Sequence, residues 1–307
     1  MEFYQYTLEV ATPLNQRSSR RALTGLLIRE GNGVGCVQPW PELGDAPMEE
    51  QLQALRSGQD TPLIRAARTC AALDSSWRQQ GVSAFQGRII PESHATLVEP
   101  CLERVNEAKA LGFQSVKVKG TPSSLAKLLE ESSLPLRLDF NETLGAEGVR
   151  EFLASLPDSA RRCIDFIEDP CPYDSDKWYQ LHQATGCQLA LDRQANRAKE
   201  GGFQVLVVKP AIDDLATMSS LIFQQALPFV VTSYMDHPIG QLYAAYQASV
   251  LAERFPQQSL TCGLATHGLF EGLTFAECLG SGPRLASPGG TGLGFDTYLQ
   301  KLPWQTI

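Results

Sequence analysis

The chain has 307 residues, 43% of them hydrophobic and 20% charged, an ordinary soluble composition with enough material for one large core or two modest ones. Its net charge of −8 and pI near 5.1 argue against a nucleic-acid partner, because phosphate-backbone binding draws on clustered Lys and Arg. The one basic cluster, Arg17, Arg20, Arg21 and Arg29, reads as a solvated loop and strand edge, and no apolar run approaches the ~18 residues that span a membrane.

Apolar alternation over residues 3–10, 23–29 and 34–38 predicts a small antiparallel sheet, its last two strands joined across Glu30-Gly31-Asn32-Gly33. Residues 11–22 are polar, Arg-rich and without periodicity, which reads as a disordered tip or a mobile flap. In the stiff segment 39–45, Trp40 is read as a packing anchor, and helical spacing follows over 47–56 and 62–79. A sheet followed by helices makes an α+β unit.

After Gly81 strands alternate with helices. Strands are predicted at 85–90, 115–119, 136–139, 165–168, 188–192, 205–209, 229–233 and 259–263. Helices are predicted at 97–111, 123–131, 146–156, 177–185, 212–226 and 240–254. Eight β-then-α units in series imply parallel strands and an α/β fold, a (β/α)8 TIM barrel over 84–280. Residues 1–83, completed by 281–307, would form an α+β capping domain. Eight cysteines without CxxC pairs, and an N-terminus lacking the regions of a secretory signal, point to reduced thiols in a cytoplasm.

The chemistry is expected where barrel strands end. Lys117 and Lys119 share one face of their strand, and Asp139, Glu168, Asp192 and Lys209 each end an apolar run. A single acid there is ordinarily a helix cap or turn former; three on adjacent strands repel one another unless a cation sits among them. Oxygen-only ligands point to Mg²⁺, or Mn²⁺ in its place, with a small-molecule carboxylate as the substrate. Strands two and six face each other across the ring, so Lys119 and Lys209 would approach that substrate from opposite faces. A lysine starts near pKa ~10.4 and must fall to about 7 to act as a base, a change of roughly 4 kcal/mol toward which burial, Lys117 and a divalent ion all push.

The set Lys117-Val118-Lys119, Asp139-Phe140-Asn141, Glu168-Asp169-Pro170, Asp192 and Lys209-Pro210 resembles the enolase superfamily in its muconate cycloisomerase-like subgroup. Within it, 136–141, Glu168-Asp169-Pro170-Cys171 and Cys262-Gly263-Leu264-Ala265-Thr266 favour the dehydratases of menaquinone synthesis. The resemblance implies that Lys119 removes an alpha proton and helps the hydroxyl leave, that Lys209 stays protonated and stabilises the enediolate, and that Asp139, Glu168 and Asp192 hold Mg²⁺. It further implies supporting roles for Arg137 and Asn141 and contacts from Ser233 and Gly263 to the succinyl arm of the substrate.

Two positions depart from the family pattern: Arg193 stands where an acid often follows the third ligand, and Gly35-Cys36 where Gly-Glu is common. An N-acylamino acid racemase would use the same residues with two bases, whereas a dipeptide epimerase is disfavoured because strand eight lacks Asp-x-Asp. Outside the superfamily, Lys209 would serve as a Schiff-base lysine in an aldolase barrel, or the acids would cap helices in a binding barrel. His237 lies past its strand and reads as a loop residue.

Overall fold

The computed structural model describes residues 1–10, 12, 14 and 18–307. Strands β1 (Glu2–Glu9), β2 (Ala22–Glu30) and β3 (Gly33–Val37) form an antiparallel sheet. Glu30 pairs with Gly33 across a two-residue turn, and Gly31 at φ +60° supplies the left-handed conformation such a turn needs. The flap reading of 11–22 falls partly outside the described residues, at Ala11, Pro13, Asn15, Gln16 and Arg17.

Helices α1 (Met48–Ser57) and α2 (Pro62–Gln80) follow, the second capped by Thr61 with proline in its first turn. All five residues of β3 are buried under α2. The approach is close because β3 carries glycines: a Cβ on Gly33 would lie 1.9 Å from the Ala71 carbonyl oxygen, and one on Gly35 2.0 Å from that of Ala67. Asp74 of α2, fully buried, accepts from the Val34 and Leu293 amides and pairs with Arg78 at 2.7 Å.

The second unit runs β4 (Ala95–Leu97), α3 (Leu102–Ala110), β5 (Val116–Lys119), α4 (Pro122–Glu131), β6 (Leu136–Asp139), α5 (Ala146–Ser155), α6 (Asp158–Arg162) and β7 (Ile164–Glu168). It continues α7 (Ser175–Thr185), β8 (Leu189–Leu191), β9 (Val205–Val208), α8 (Leu215–Gln225), β10 (Phe229–Val231) and α9 (Pro238–Arg254). The seven strands β4 to β10 lie parallel in sequence order. Residues 259–263 bridge both free edges, Ser259 and Gly263 to Phe229 and Thr232, and Cys262 to Ser93, so an eighth stave closes the barrel. The tail adds α10 (Asp296–Leu299) and β11 (Gln305–Thr306), which returns to pair with β1.

The first stave is a correction: 85–90 is not a strand. It turns at Gly87 (φ +72°) with Ile89 74% exposed, and the stave lies at 93–97 instead. Apolar alternation failed to mark it because two of its cavity-facing residues, His94 and Thr96, are polar. The helix expected from 97 accordingly begins at Leu102, and α6 was not anticipated.

Because the obstruction at position 35 is helix backbone, Gly35→Ala is expected to cost about 2 kcal/mol, seen as a lower urea midpoint. An unchanged midpoint would show that α2 yields without penalty.

Candidate active site

Strand register aligns the charged residues at one end of the barrel. Lys119 pairs with Asp139 and Asp139 with Glu168, while Glu168 pairs with Ala190, two residues before Asp192 on the same face. Lys209 follows β9 directly. The backbone bends sharply just past the acids: Asn141 (φ +49°), Glu142 (φ +61°) and Asp169 (φ +41°) are non-glycine residues in the left-handed region. The bends have local bonds to hold them. The Asn141 amide donates to Asp139 Oδ1 at 3.1 Å, and the Asp169 carboxylate accepts from the Asp192 and Arg193 amides at 3.1 and 3.0 Å.

Lys117 Nζ bridges two acids, 3.1 Å from Asp139 Oδ2 and in direct contact with Glu168 Oε1. Lys209 Nζ sits 2.5 and 2.6 Å from the two oxygens of Asp192 and 5.7 Å from the centre of the Tyr234 ring. Lys119 is less engaged: its Nζ is 3.7 Å from Asp139 Oδ2 and donates to the Leu14 carbonyl at 3.0 Å. Among the described residues no cluster of three His, Cys, Asp or Glu stands in metal-ligating geometry, since ammonium groups bridge the carboxylates.

These contacts set different proton affinities. Burial, then the charges of Lys117 and Lys209, lowers Lys119 below the ordinary lysine range against the pull of Asp139. For Lys209 burial acts in the same direction, but Asp192 more than offsets it and holds the ammonium. Burial raises Glu168 to about 8, with Asp139 and Asp192 adding to the rise and Lys117 opposing it.

Contacts from the N-terminal unit reach this site, and Leu43 lines its cavity. One contact is the Leu14 carbonyl on Lys119. Another is Asp45, which accepts from the Tyr234 hydroxyl at 3.0 Å, while Trp40 Nε1 donates to the Tyr234 carbonyl at 2.9 Å. Trp40 is thus a buried anchor, with Arg20 stacked on its ring. A cavity of about 50 Å³ lies between the charged staves and a neutral wall of Thr96, Thr232, Ser233 and Thr266. It has room for a water or two, so a substrate needs side chains or the covering segments to move.

Arg137 sits deeper than the charged ring. A register shift in β7 presents Asp165 to its Nε at 2.7 Å, and its Nη1 contacts His94 Nδ1 at 2.8 Å and the Thr261 carbonyl at 2.6 Å. Arg137 therefore supports the cavity from beneath. Ser233 is engaged by Thr266 at 2.7 Å, and Gly263 lines the cavity beside His94. Arg193 points to Glu142 at 3.6 Å, and Cys36 is buried with its thiol against the Tyr6 hydroxyl. His237 does not line this cavity: it caps α9, accepts from the Ile239 amide and packs at an angle against the Tyr6 and Phe275 rings. Sequence reading missed His94 and Thr96, although their period-two spacing before a helix is the cue that singled out Lys117 and Lys119.

The closed parallel barrel beside an antiparallel sheet, with lysines and acids at successive stave ends, has the fold of solved epimerases and of a muconate lactonizing enzyme. Residues 1–77 match the family described as O-succinylbenzoate synthase, N-terminal domain. The whole chain is 32% identical over 328 aligned residues to the o-succinylbenzoate synthase of Bdellovibrio bacteriovorus, covering 98% of that protein. The chain belongs to the o-succinylbenzoate synthase family. Its fold is shared by the L-Ala-D/L-Glu epimerase of Bacillus subtilis, at 15% identity and TM-score 0.78 over 95% of this chain and 97% of that one. It is shared also by the dipeptide epimerase of Cytophaga hutchinsonii solved with Mg and D-Ala-L-Val, at 18% identity and TM-score 0.75 over 99% and 98%.

Burial lowers His237 from 6.5 to about 3. A base whose folded pKa lies below its unfolded value stabilises the fold above that unfolded value, and the contribution is lost as pH falls from 6.5 toward 3. His237→Asn keeps a cap acceptor for Ile239 but removes this proton. Its stability should therefore fall less steeply than the wild type's in urea titrations between those limits, by up to ~1.4 kcal/mol per pH unit. Equal slopes would mean that His237 is protonated in the fold.

Proposed function

We propose that this enzyme dehydrates 2-succinyl-6-hydroxy-2,4-cyclohexadiene-1-carboxylate to o-succinylbenzoate, a step of menaquinone synthesis, with a divalent cation, Mg²⁺, as cofactor. In this reading residues 84–280 are the catalytic barrel and residues 1–83 with 281–307 the cap. Eight free thiols fit a cytoplasmic enzyme, and among the described residues no helix is long and apolar enough to cross a membrane.

Lys119, as the free amine, takes the proton alpha to the substrate carboxylate. The resulting ammonium returns that proton to the departing hydroxyl on the same face: the carbon–hydrogen and carbon–oxygen bonds break, a ring double bond forms and water leaves. Lys209 remains charged on the opposite side and stabilises the negative charge that develops on the substrate. Asp139, Glu168 and Asp192 would hold the cation, whose charge would stabilise the substrate carboxylate as the alpha proton is lost. The donor set suits a hard divalent ion, because the acids offer only oxygen and because burial with like-charged neighbours raises Glu168 to about 8 despite Lys117.

The observation that carries the reading is the unequal setting of the two lysines. Lys119 has one carboxylate at 3.7 Å and a lowered proton affinity, whereas Lys209 has both oxygens of Asp192 within 2.6 Å and a raised one. One base and one fixed cation suit elimination on a single face; a racemase needs both groups to exchange protons.

Lys119→Ala is expected to lower dehydration about 10²- to 10⁴-fold in a continuous absorbance assay for the aromatic product. Retention of activity would remove Lys119 from the mechanism. Asp192→Asn should raise the Mg²⁺ concentration for half-maximal rate at least about tenfold, and an unaltered requirement would clear Asp192 as a ligand. In D₂O, exchange into N-succinylamino acids without dehydration of the cyclohexadiene would favour the racemase.

A further inference from the structure

His94 has no part in the mechanism above, yet it borders the same cavity, 2% exposed, on the first stave beside the eighth. Its ring has one well-defined partner. Arg137 Nη1 lies 2.8 Å from Nδ1, and a guanidinium only donates, so Nδ1 carries the lone pair and Nε2 the hydrogen. Arg137 is held in place by Asp165, by the Thr261 carbonyl and by stacking on Phe166 at 4.7 Å, which fixes the tautomer as well as the ring. Burial, then the charges of Arg137 and Lys117, keeps the imidazole neutral. Nε2 has no hydrogen-bond partner among the described residues.

The surroundings leave that edge open. A Cβ at Gly263 would come within 2.9 Å of Nε2, so glycine is the residue that spares the space in front of it. Next to it, the buried hydroxyl of Thr232 also has no partner among the described residues. The cavity wall on this side consists of His94, Thr96, Thr232, Ser233, Gly263 and Thr266, and it contains no acid. A neutral wall with an unused N–H donor suits an acceptor oxygen and gives no counter-charge to an ammonium.

We infer that His94 is a substrate-binding residue, donating from Nε2–H to a ketone or carboxylate oxygen on the substrate arm remote from the carboxyl group activated between the lysines. The inference rests on the dehydratase reading for the identity of that arm.

Two substitutions separate this role from that of a mere prop for Arg137. His94→Asn keeps an acceptor near the Nδ1 position and loses the Nε2 donor; His94→Gln keeps an N–H near Nε2 and loses the contact to Arg137. For a donor to substrate, KM should rise about tenfold or more in His94→Asn with little change in kcat, and stay within about threefold in His94→Gln. The reverse order, or an unchanged KM in His94→Asn, overturns the inference. Titration with o-succinylbenzoate and with benzoate, which lacks the arm, needs no turnover. His94→Asn should weaken binding of the first about tenfold and leave the second unaltered, and equal effects on both would overturn the inference. A wild-type enzyme inactive on the cyclohexadiene would instead overturn the dehydratase reading, and the titration would still decide the role of His94.

Discussion

Three acids and three lysines meet in the mouth of the barrel, with Lys117 bridging Asp139 and Glu168 and Lys209 holding Asp192, and the rest of the site depends on that balance. An unpaired buried ion costs several kcal/mol, so each group must be delivered to a partner with little freedom to miss. Parallel register delivers them: Lys119, Asp139 and Glu168 are neighbours across β5, β6 and β7, and Asp192 and Lys209 continue the arc. The left-handed residues after Asp139 and Glu168 turn the chain sharply at the rim, and the buried Asn141 amide bonds back to Asp139.

The N-terminal unit completes this balance from above. Its sheet is held against α2 by glycine-to-backbone contact and by Asp74, which bonds β3, α2 and the tail at once. From that base the chain reaches the site through the Leu14 carbonyl on Lys119 and through Asp45 on Tyr234, whose ring lies against Lys209. Both lysines therefore sense the covering segments. The closeness of the fit is reflected in the cavity of about 50 Å³.

The wall opposite the acids has a different character. Hydroxyls and a neutral imidazole line it, and the charge beneath is directed downward, with Arg137 paired to Asp165 away from the cavity. Shared fold with epimerases at 15% and 18% identity is compatible with this division, because the staves that carry lysines and acids and the staves that carry the neutral wall are separate parts of one barrel.

The stave ends were legible in the amino-acid order. An acid or lysine directly after an apolar run is visible without coordinates, and so are the serial β-then-α pattern and the Gly31-Asn32 hairpin. The period-two rule also put Lys117 and Lys119 on one face. The first stave was not legible: its inward residues His94 and Thr96 are polar, so the hydrophobic pattern pointed to 85–90, a turn. Nor were the partners. Lys119 meets Leu14 across 105 positions and Tyr234 meets Asp45 across 189, and residue order carries no record of contacts made only when the barrel closes and the sheet folds over it. Local order determined which side chains stand at the rim. The tertiary structure decided their relative proton affinities, because burial and neighbours, not residue type, separate Lys119 from Lys209.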